Sequence, residues 1–331
     1  MTGAIRLHSV AVERFPVAGA FTISRGAKTF VDVVVCTVTD GVRTGRGEGT
    51  AIYYHGETAQ GCADAIRAVA TDPAAFDRHA LRGLMPPGAA RNALDCALWD
   101  IEARREGAPV WQLAGLPEPS PVRTAFTISL DEPDVMAAAA ARAAARGFSL
   151  LKCKLTGEGD PARIEAVRQG APDADLIVDA NESWAGMDIA VQARALADLG
   201  VSLIEQPLPA GHDSALAGLS LAVPICADES CQSLADIEGL GAYQAINIKL
   251  DKAGGLTEAL AMAKAARDHG QKVMVGCMLG TSLGIAPAFL LAGSASWVDL
   301  DGALLLARDR DEGLIVSDGM LQPGRLWGTG Q

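Results

Sequence analysis

The chain has 331 residues, 49% hydrophobic and 21% charged, the make-up of an ordinary globular protein with room for one barrel-sized domain and something smaller. Its net charge of −12 argues against nucleic acid or an anionic membrane surface as a partner. Seven scattered cysteines without a C-x-x-C pair predict reduced thiols, and the absence of a signal-peptide pattern or a long apolar run predicts a cytoplasmic chain.

Residues 4–16 and 29–38, rich in valine and threonine, predict two strands, and residues 43–50 a third. The segment between the first two, AFTISRGAKT, reads as a polar loop carrying Arg25 and Lys28. From Glu57 to Leu113 apolar residues recur at three- and four-residue spacings, as in GAARNALDCALWDIEARREG, and predict helices. Residues 1–118 thus form a small α+β domain, closed off by LPEPSPV with three prolines in seven residues.

Residues 119–311 alternate short apolar strands with helical stretches, in a unit that recurs about every 25 residues. Strands start near Thr124, Leu150, Leu176, Ser202, Pro224, Ala245, Lys272 and Trp297. That alternation predicts an α/β fold with a parallel sheet closed into a TIM-like barrel, whose active sites gather at the C-terminal ends of the strands. Residues 312–331 read as a turn-rich tail packing back on the first domain.

Charges end many of these apolar strands, where an unpaired buried charge costs several kcal/mol. Asp179 ends LIVD, Glu205 ends VSLIE and Asp228 follows VPICA, on consecutive strands. Three carboxylates so close repel one another, and oxygen-only ligation favours Mg²⁺, with Mn²⁺ tolerated, over zinc. Lys152 and Lys154, in LLKCK, share a strand face with Cβ atoms roughly 6.6 Å apart. At an effective dielectric near 20 they would repel by about 2.5 kcal/mol, which draws a lysine from about 10.4 toward the ~7–8 useful to a general base. Lys249 ends the strand AINIK across the barrel, so one bound carbon would have a base on each side, the layout for racemisation or epimerisation. Asp299 and Asp301, in WVDLD, share a face and suit a substrate ammonium; Thr127 offers a substrate hydrogen bond.

The ordered set K-x-K, then Asp, Glu and Asp, then Lys, resembles the muconate-lactonizing subgroup of the enolase superfamily. The segments GAARNALDCALWD, LIVDANESW, EQPLPA, PICADES and NIKLDKAGGLTEAL are similar to those of its dipeptide epimerases. The resemblance implies a (β/α)7β TIM-like barrel with an N-terminal α+β capping domain, and one Mg²⁺ per chain on Asp179, Glu205 and Asp228. It implies Lys154 and Lys249 as acid/base catalysts assisted by Lys152, with Asp299 and Asp301 holding the ammonium of the N-terminal alanine. It matches Arg25 to a loop arginine that pairs with the glutamate side chain, and Thr127 to a position contacting the substrate backbone.

The expected reaction is epimerisation of the Glu α-carbon in L-Ala-D/L-Glu, through a metal-stabilised enediolate, in murein peptide recycling. Other dipeptides, N-acyl amino acids, a cycloisomerase or o-succinylbenzoate synthase-type lyase, a Schiff-base aldolase and a non-catalytic binder stand as alternatives. The aspartate pair argues against the lyases, because two carboxylates repel a dianionic acid. The expected partner is a small-molecule dipeptide, with a homo-oligomer left open.

Overall fold

The computed structural model describes residues 3–23 and 26–331. Strands β1 (Arg6–Ile23), β2 (Gly26–Thr39) and β3 (Thr44–Thr50) form an antiparallel sheet in the order β1-β2-β3. The first two are longer than their composition suggests. The segment read as a loop is strand on both arms, with Phe21 opposite Lys28, Thr22 opposite Ala27 and Ile23 opposite Gly26, after a register shift beyond Pro16.

Helices α1 (Ala59–Val69), α2 (Arg78–Leu84), α3 (Ala89–Glu106) and α4 (Val110–Leu113) follow. The long, largely buried α3 lies directly on β3 because of the sequence GRGEG. Gly45, Gly47 and Gly49 face the helix, and a Cβ on each would come within 2.3, 2.2 and 2.3 Å of the carbonyl oxygens of Ala97, Ala93 and Ala89. A glycine at every second strand position, against an alanine at every fourth helix position, lets the two backbones touch.

After the short β4 (Val122–Arg123), eight parallel strands build the barrel: β5 (Phe126–Ile128), β6 (Leu150–Lys154), β7 (Asp175–Asp179), β8 (Val201–Glu205), β9 (Ile225–Ala227), β10 (Ala245–Lys249), β11 (Lys272–Gly276) and β12 (Trp297–Asp299). They follow one another in sheet order, and the Ala125 amide donates to the Val298 carbonyl at 2.8 Å, drawing the two end strands together into a nearly closed barrel. Outside it run α5 (Pro133–Ala145), α6 (Asp160–Gly170), α7 (Ile189–Asp198), α8 (Leu250–Ala253), α9 (Leu256–Asp268) and α10 (Ser282–Ala292). The links after β8 and β9 carry only short 3₁₀ turns, Asp213–Leu216 and Leu234–Gly239, where the repeat predicts helices. Ala125, Leu150, Ile177, Leu203, Cys226, Ala245 and Met274 form an apolar layer inside the barrel.

A hairpin of β13 (Val316–Ser317) and β14 (Met320–Leu321) pairs with β4 rather than with the first sheet. Beyond it, the Trp327 indole donates to the Cys96 carbonyl at 3.1 Å and the Gly328 amide to Asp100 at 2.9 Å, both on α3. Buried polar contacts seat the first domain on the barrel. Arg91 donates to the carbonyls of Ala253 (2.6 Å) and Gly254 (3.0 Å), and Asp95 accepts from the Thr257 hydroxyl at 2.6 Å. Asp251 accepts from the Thr50 amide at 2.8 Å, and Glu48 from the Thr281 amide at 2.7 Å. All seven cysteines are free thiols, and among the described residues no helix is long and apolar enough to cross a membrane.

Candidate active site

Parallel pairing sets the charged strand ends at one level. Lys154 is the register partner of Asp179, and Asp179 of Glu205; on the other side Lys249 partners Gly276, and Gly276 partners Asp299. Asp228 follows β9 by one residue. These side chains, with Asp301, converge at the C-terminal mouth, where a cavity of about 290 Å³ opens between the barrel and the first sheet.

Asp179, Glu205 and Asp228 are 0%, 1% and 1% exposed, and one oxygen of each lies within 4.8 Å of the others. One oxygen of each is held by a donor other than Lys152, Lys154 and Lys249: the Asn181 amide on Asp179 (2.9 Å), the Asn247 side chain on Glu205 (2.8 Å), and Lys252 on Asp228 (2.5 Å). The remaining oxygens meet lysines. Lys154 lies 2.6 Å from Asp179, Lys249 2.6 Å from Asp228, and Lys152 2.6 Å from Glu205.

Burial opposes all three charges, and the lysines overcome it at two of them. Lys154 and Lys152 hold Asp179 down to about 2, and Lys249 and Lys252 hold Asp228 well below the carboxylate range. At Glu205 burial and the charge of Asp179 win, despite the nearby Lys152, and push it up to about 8. Three buried carboxylates that each bring an oxygen within 4.8 Å of the others suit a hard divalent cation, so the set fits Mg²⁺ and can hold one ion.

Lys152 behaves differently from the expectation of a lysine repelled by Lys154. It is 1% exposed, and although burial works against its charge, Asp299, Glu205, Asp179 and Asp228 hold its pKa well above the usual lysine value. Its ammonium sits 2.7 Å from Asp299 and 3.3 Å from Asp179. Lys249 is likewise held high, by Asp228 and Glu205 against its burial. Asp299 keeps its second oxygen buried and, among the described residues, without a hydrogen-bond partner. Asp301 lies just beyond β12, where the Thr127 amide donates to it at 2.6 Å; burial and neighbouring Asp299 push it up to about 7. Thr127 also lines the cavity. Arg25 lies outside the described residues.

Four supporting residues escaped the sequence reading. Asn181, Asn247 and Lys252 fix the outer carboxylate oxygens as above, and Lys252 also donates to the Asn247 carbonyl at 3.2 Å. The fourth is Gln206, whose side-chain carbonyl accepts from the amides of Asp228 (2.8 Å) and Ser230 (3.1 Å), tying the end of β8 to the segment after β9. Its backbone φ is 34°, an unusual conformation for a residue with a long side chain, of the kind that clusters at functional sites. The spacing Lys-x-x-Lys in KLDK was the available signal for Lys252; one turn of α8 returns its side chain beneath the strand end.

Comparison with known proteins gives a consistent picture. Residues 1–115 match the N-terminal domain of the mandelate racemase / muconate lactonizing enzyme family, and residues 134–330 match the enolase C-terminal domain-like family. The chain is 43% identical to the L-Ala-D/L-Glu epimerase of Escherichia coli (strain K12) over 319 residues, covering 96% of this chain and 99% of that one. A solved structure from Agrobacterium tumefaciens, an enolase family member with homology to dipeptide epimerases and with bound sodium and L-Ala-L-Glu, is similar with a TM-score of 0.94 at 51% identity, covering 98% of this chain and 100% of that one. A dipeptide epimerase from Enterococcus faecalis V583, complexed with Mg and L-Leu-L-Tyr, has a TM-score of 0.89 at 30% identity, covering 100% of this chain and 99% of that one.

Proposed function

We propose that the protein is a Mg²⁺-dependent dipeptide epimerase, from the premise that the chain belongs to the mandelate racemase / muconate lactonizing enzyme family. The observation that carries the reading is the placement of Lys154 and Lys249 at the ends of β6 and β10, four strands apart around one cavity. A lysine on each side of a bound α-carbon, one as the neutral amine and the other as the ammonium, allows a proton to leave to the amine on one face and to return from the ammonium on the other.

Asp179, Glu205 and Asp228 would hold the metal ion. When bound, a divalent cation supplies charge stabilisation at the substrate carboxylate and offsets the carboxylates that hold Lys152 and Lys249 high. Lys152, fixed between Asp299 and Glu205, anchors both carboxylates and presents positive charge to the same side of the cavity. Asp299 and Asp301 receive the ammonium; the unpartnered oxygen of Asp299 is the natural acceptor. Thr127 positions Asp301 through its amide and contacts the substrate backbone. Arg25 is assigned to the substrate side chain on the resemblance alone. The preferred substrate is L-Ala-D/L-Glu, with murein peptide recycling in the cytoplasm as the cellular setting, and residues 1–118, 119–311 and 312–331 as the capping, barrel and tail units.

Proton NMR with L-Ala-D-Glu and Mg²⁺ in D2O, with and without EDTA, tests the proposal. The expected result is metal-dependent loss of the Glu α-proton signal with appearance of the L,L diastereomer. Absence of any exchange with this or other dipeptides would overturn it.

A further inference from the structure

The strand pair that carries Glu205 and leads to Asp228 ends abruptly. Glu205 closes β8 and Ala227 closes β9, and the Gln206 amide still donates to the Cys226 carbonyl at 2.9 Å. In a continuing parallel ladder the next rung would run from the Asp228 amide to the Gln206 backbone carbonyl. That carbonyl instead accepts from the Glu182 amide at 2.9 Å, and with φ at 34° the chain leaves the strand path at Gln206. The side-chain carbonyl of Gln206 takes the vacated place, accepting from the Asp228 amide at 2.8 Å and the Ser230 amide at 3.1 Å. One side chain, rather than the sheet, therefore sets Asp228 relative to Glu205.

This works only while the Gln206 amide faces the right way. Exchanging its oxygen and nitrogen would set an NH₂ group against two backbone amides, donor against donor. The surroundings of the nitrogen forbid the exchange. It donates to the Leu208 carbonyl (2.8 Å), the Ser230 hydroxyl (2.9 Å) and the Tyr243 hydroxyl (3.2 Å). Both hydroxyls spend their single proton on one oxygen of Asp213, that of Ser230 at 2.6 Å. An ionised carboxylate only accepts, so the hydroxyls have lone pairs alone to offer Gln206. Asp213 opens the 3₁₀ turn in the link after β8, where the strand-helix repeat predicts a helix. We propose that Asp213, acting through Tyr243 and Ser230, orients the Gln206 amide and so sets how tightly Asp179, Glu205 and Asp228 hold their cation. The proposal rests on the metal reading above. Asp213, Tyr243, Ser230 and Gln206 are positioning residues, since none of them lines the cavity.

The test measures Mn²⁺ binding to the metal-free protein by calorimetry, beside the melting temperature of the same protein without metal. Three variants are compared with wild type: Gln206→Met, Asp213→Ala, and Tyr243→Phe combined with Ser230→Ala. The first removes the carbonyl that holds Asp228; the other two keep it and free the amide to turn. The dissociation constant for Mn²⁺ is expected to rise about 10–100-fold in Gln206→Met, the usual effect of losing an outer-shell partner. It should rise by a smaller factor in the other two, with the metal-free melting temperature of Asp213→Ala little changed. A lower melting temperature with unchanged Mn²⁺ affinity would make the network a fastener of the fold and overturn the proposal. Unchanged affinity in both Asp213→Ala and the double variant overturns it as well, whether or not Gln206→Met folds. Wild-type protein that binds no Mn²⁺ would overturn the metal reading, and the proposal with it.

Discussion

The barrel mouth and the seam beneath the first domain both bury carboxylates, and they satisfy them in different ways. At the mouth, Lys152, Lys154, Lys249 and Lys252 each bring an ammonium within 2.6 Å of Asp179, Glu205 or Asp228. At the seam, Asp95 and Asp251 are met by the Thr257 hydroxyl and by amide groups of Thr50 and Asn92. Burial accordingly pushes Asp95 up to about 6 and Asp251 to about 7, whereas Asp179 is held down to about 2. Burial of acid side chains is therefore not the mark of function here. A carboxyl bonded by neutral groups can shed its charge and serve as a fastener; a carboxylate kept charged among lysines beside a cavity is arranged for a cation and for proton transfer.

Breaking the mouth should cost most. Lys154→Ala or Lys249→Ala is expected to lower epimerisation by about 10²–10⁴-fold, the usual worth of a general acid or base, with Mg²⁺ affinity largely kept. Each variant should still exchange the α-proton with solvent deuterium from a single face, read by NMR. A full epimerase rate in either would end the two-base reading. Lys252→Met probes what holds Asp228 in the carboxylate trio. Loss of an outer-shell partner typically weakens metal binding by about 10–100-fold, and calorimetric titration with Mn²⁺ reads it directly. The ammonium of Lys252 also repels a metal ion, so tighter binding in the variant would mean that repulsion outweighs its hold on Asp228. Asp301→Asn keeps an acceptor for the Thr127 amide but removes a charge. KM for dipeptides should rise about tenfold, with the melting temperature little changed, as expected for one charge-assisted contact; unchanged kinetics would remove Asp301 from ammonium binding.

The contrast between the two regions also decides what the sequence could reveal. The ordered charges Lys154, Asp179, Glu205, Asp228 and Lys249 were legible because each closes an apolar strand, and parallel pairing brings such ends together without further information. The partner of Lys152 was not legible. Asp299 lies 147 residues away and meets it through curling of the barrel, which no local spacing encodes. The β1–β2 arms around Arg25 were obscured because that ribbon borders a cavity and lacks a simple alternation of apolar and polar residues. Gln206 carries no signature of a positive φ, since nothing in glutamine favours that conformation; the fold imposes it. The seam's acids are similarly silent, because Asp95 and Asp251 sit in helical stretches that read as amphipathic surface. Only the glycines of GRGEG hint at how closely α3 rests on its sheet.

The smallest effect should appear at the seam. Asp251 has a folded pKa of about 7 against an unfolded value near 3.9, so the folded protein holds this proton more tightly. The stability it contributes is whole below about pH 4 and is lost as pH rises toward 7, at about 1.4 kcal/mol for each tenfold difference in proton affinity. Asp95 acts in the same direction over a narrower window, its folded pKa being about 6. Asp251→Asn keeps an oxygen for the Thr50 and Asn92 donors while abolishing the titration. Its melting temperature should therefore fall less than that of wild type between pH 5 and pH 8, measured by calorimetry in matched buffers. An equal fall in both proteins would mean that Asp251 stays ionised across the range, and the seam would then resemble the mouth in tolerating buried charge. A smaller fall would show that the seam discards the charge of Asp251, where the lysines of the mouth keep that of Asp179 and Asp228.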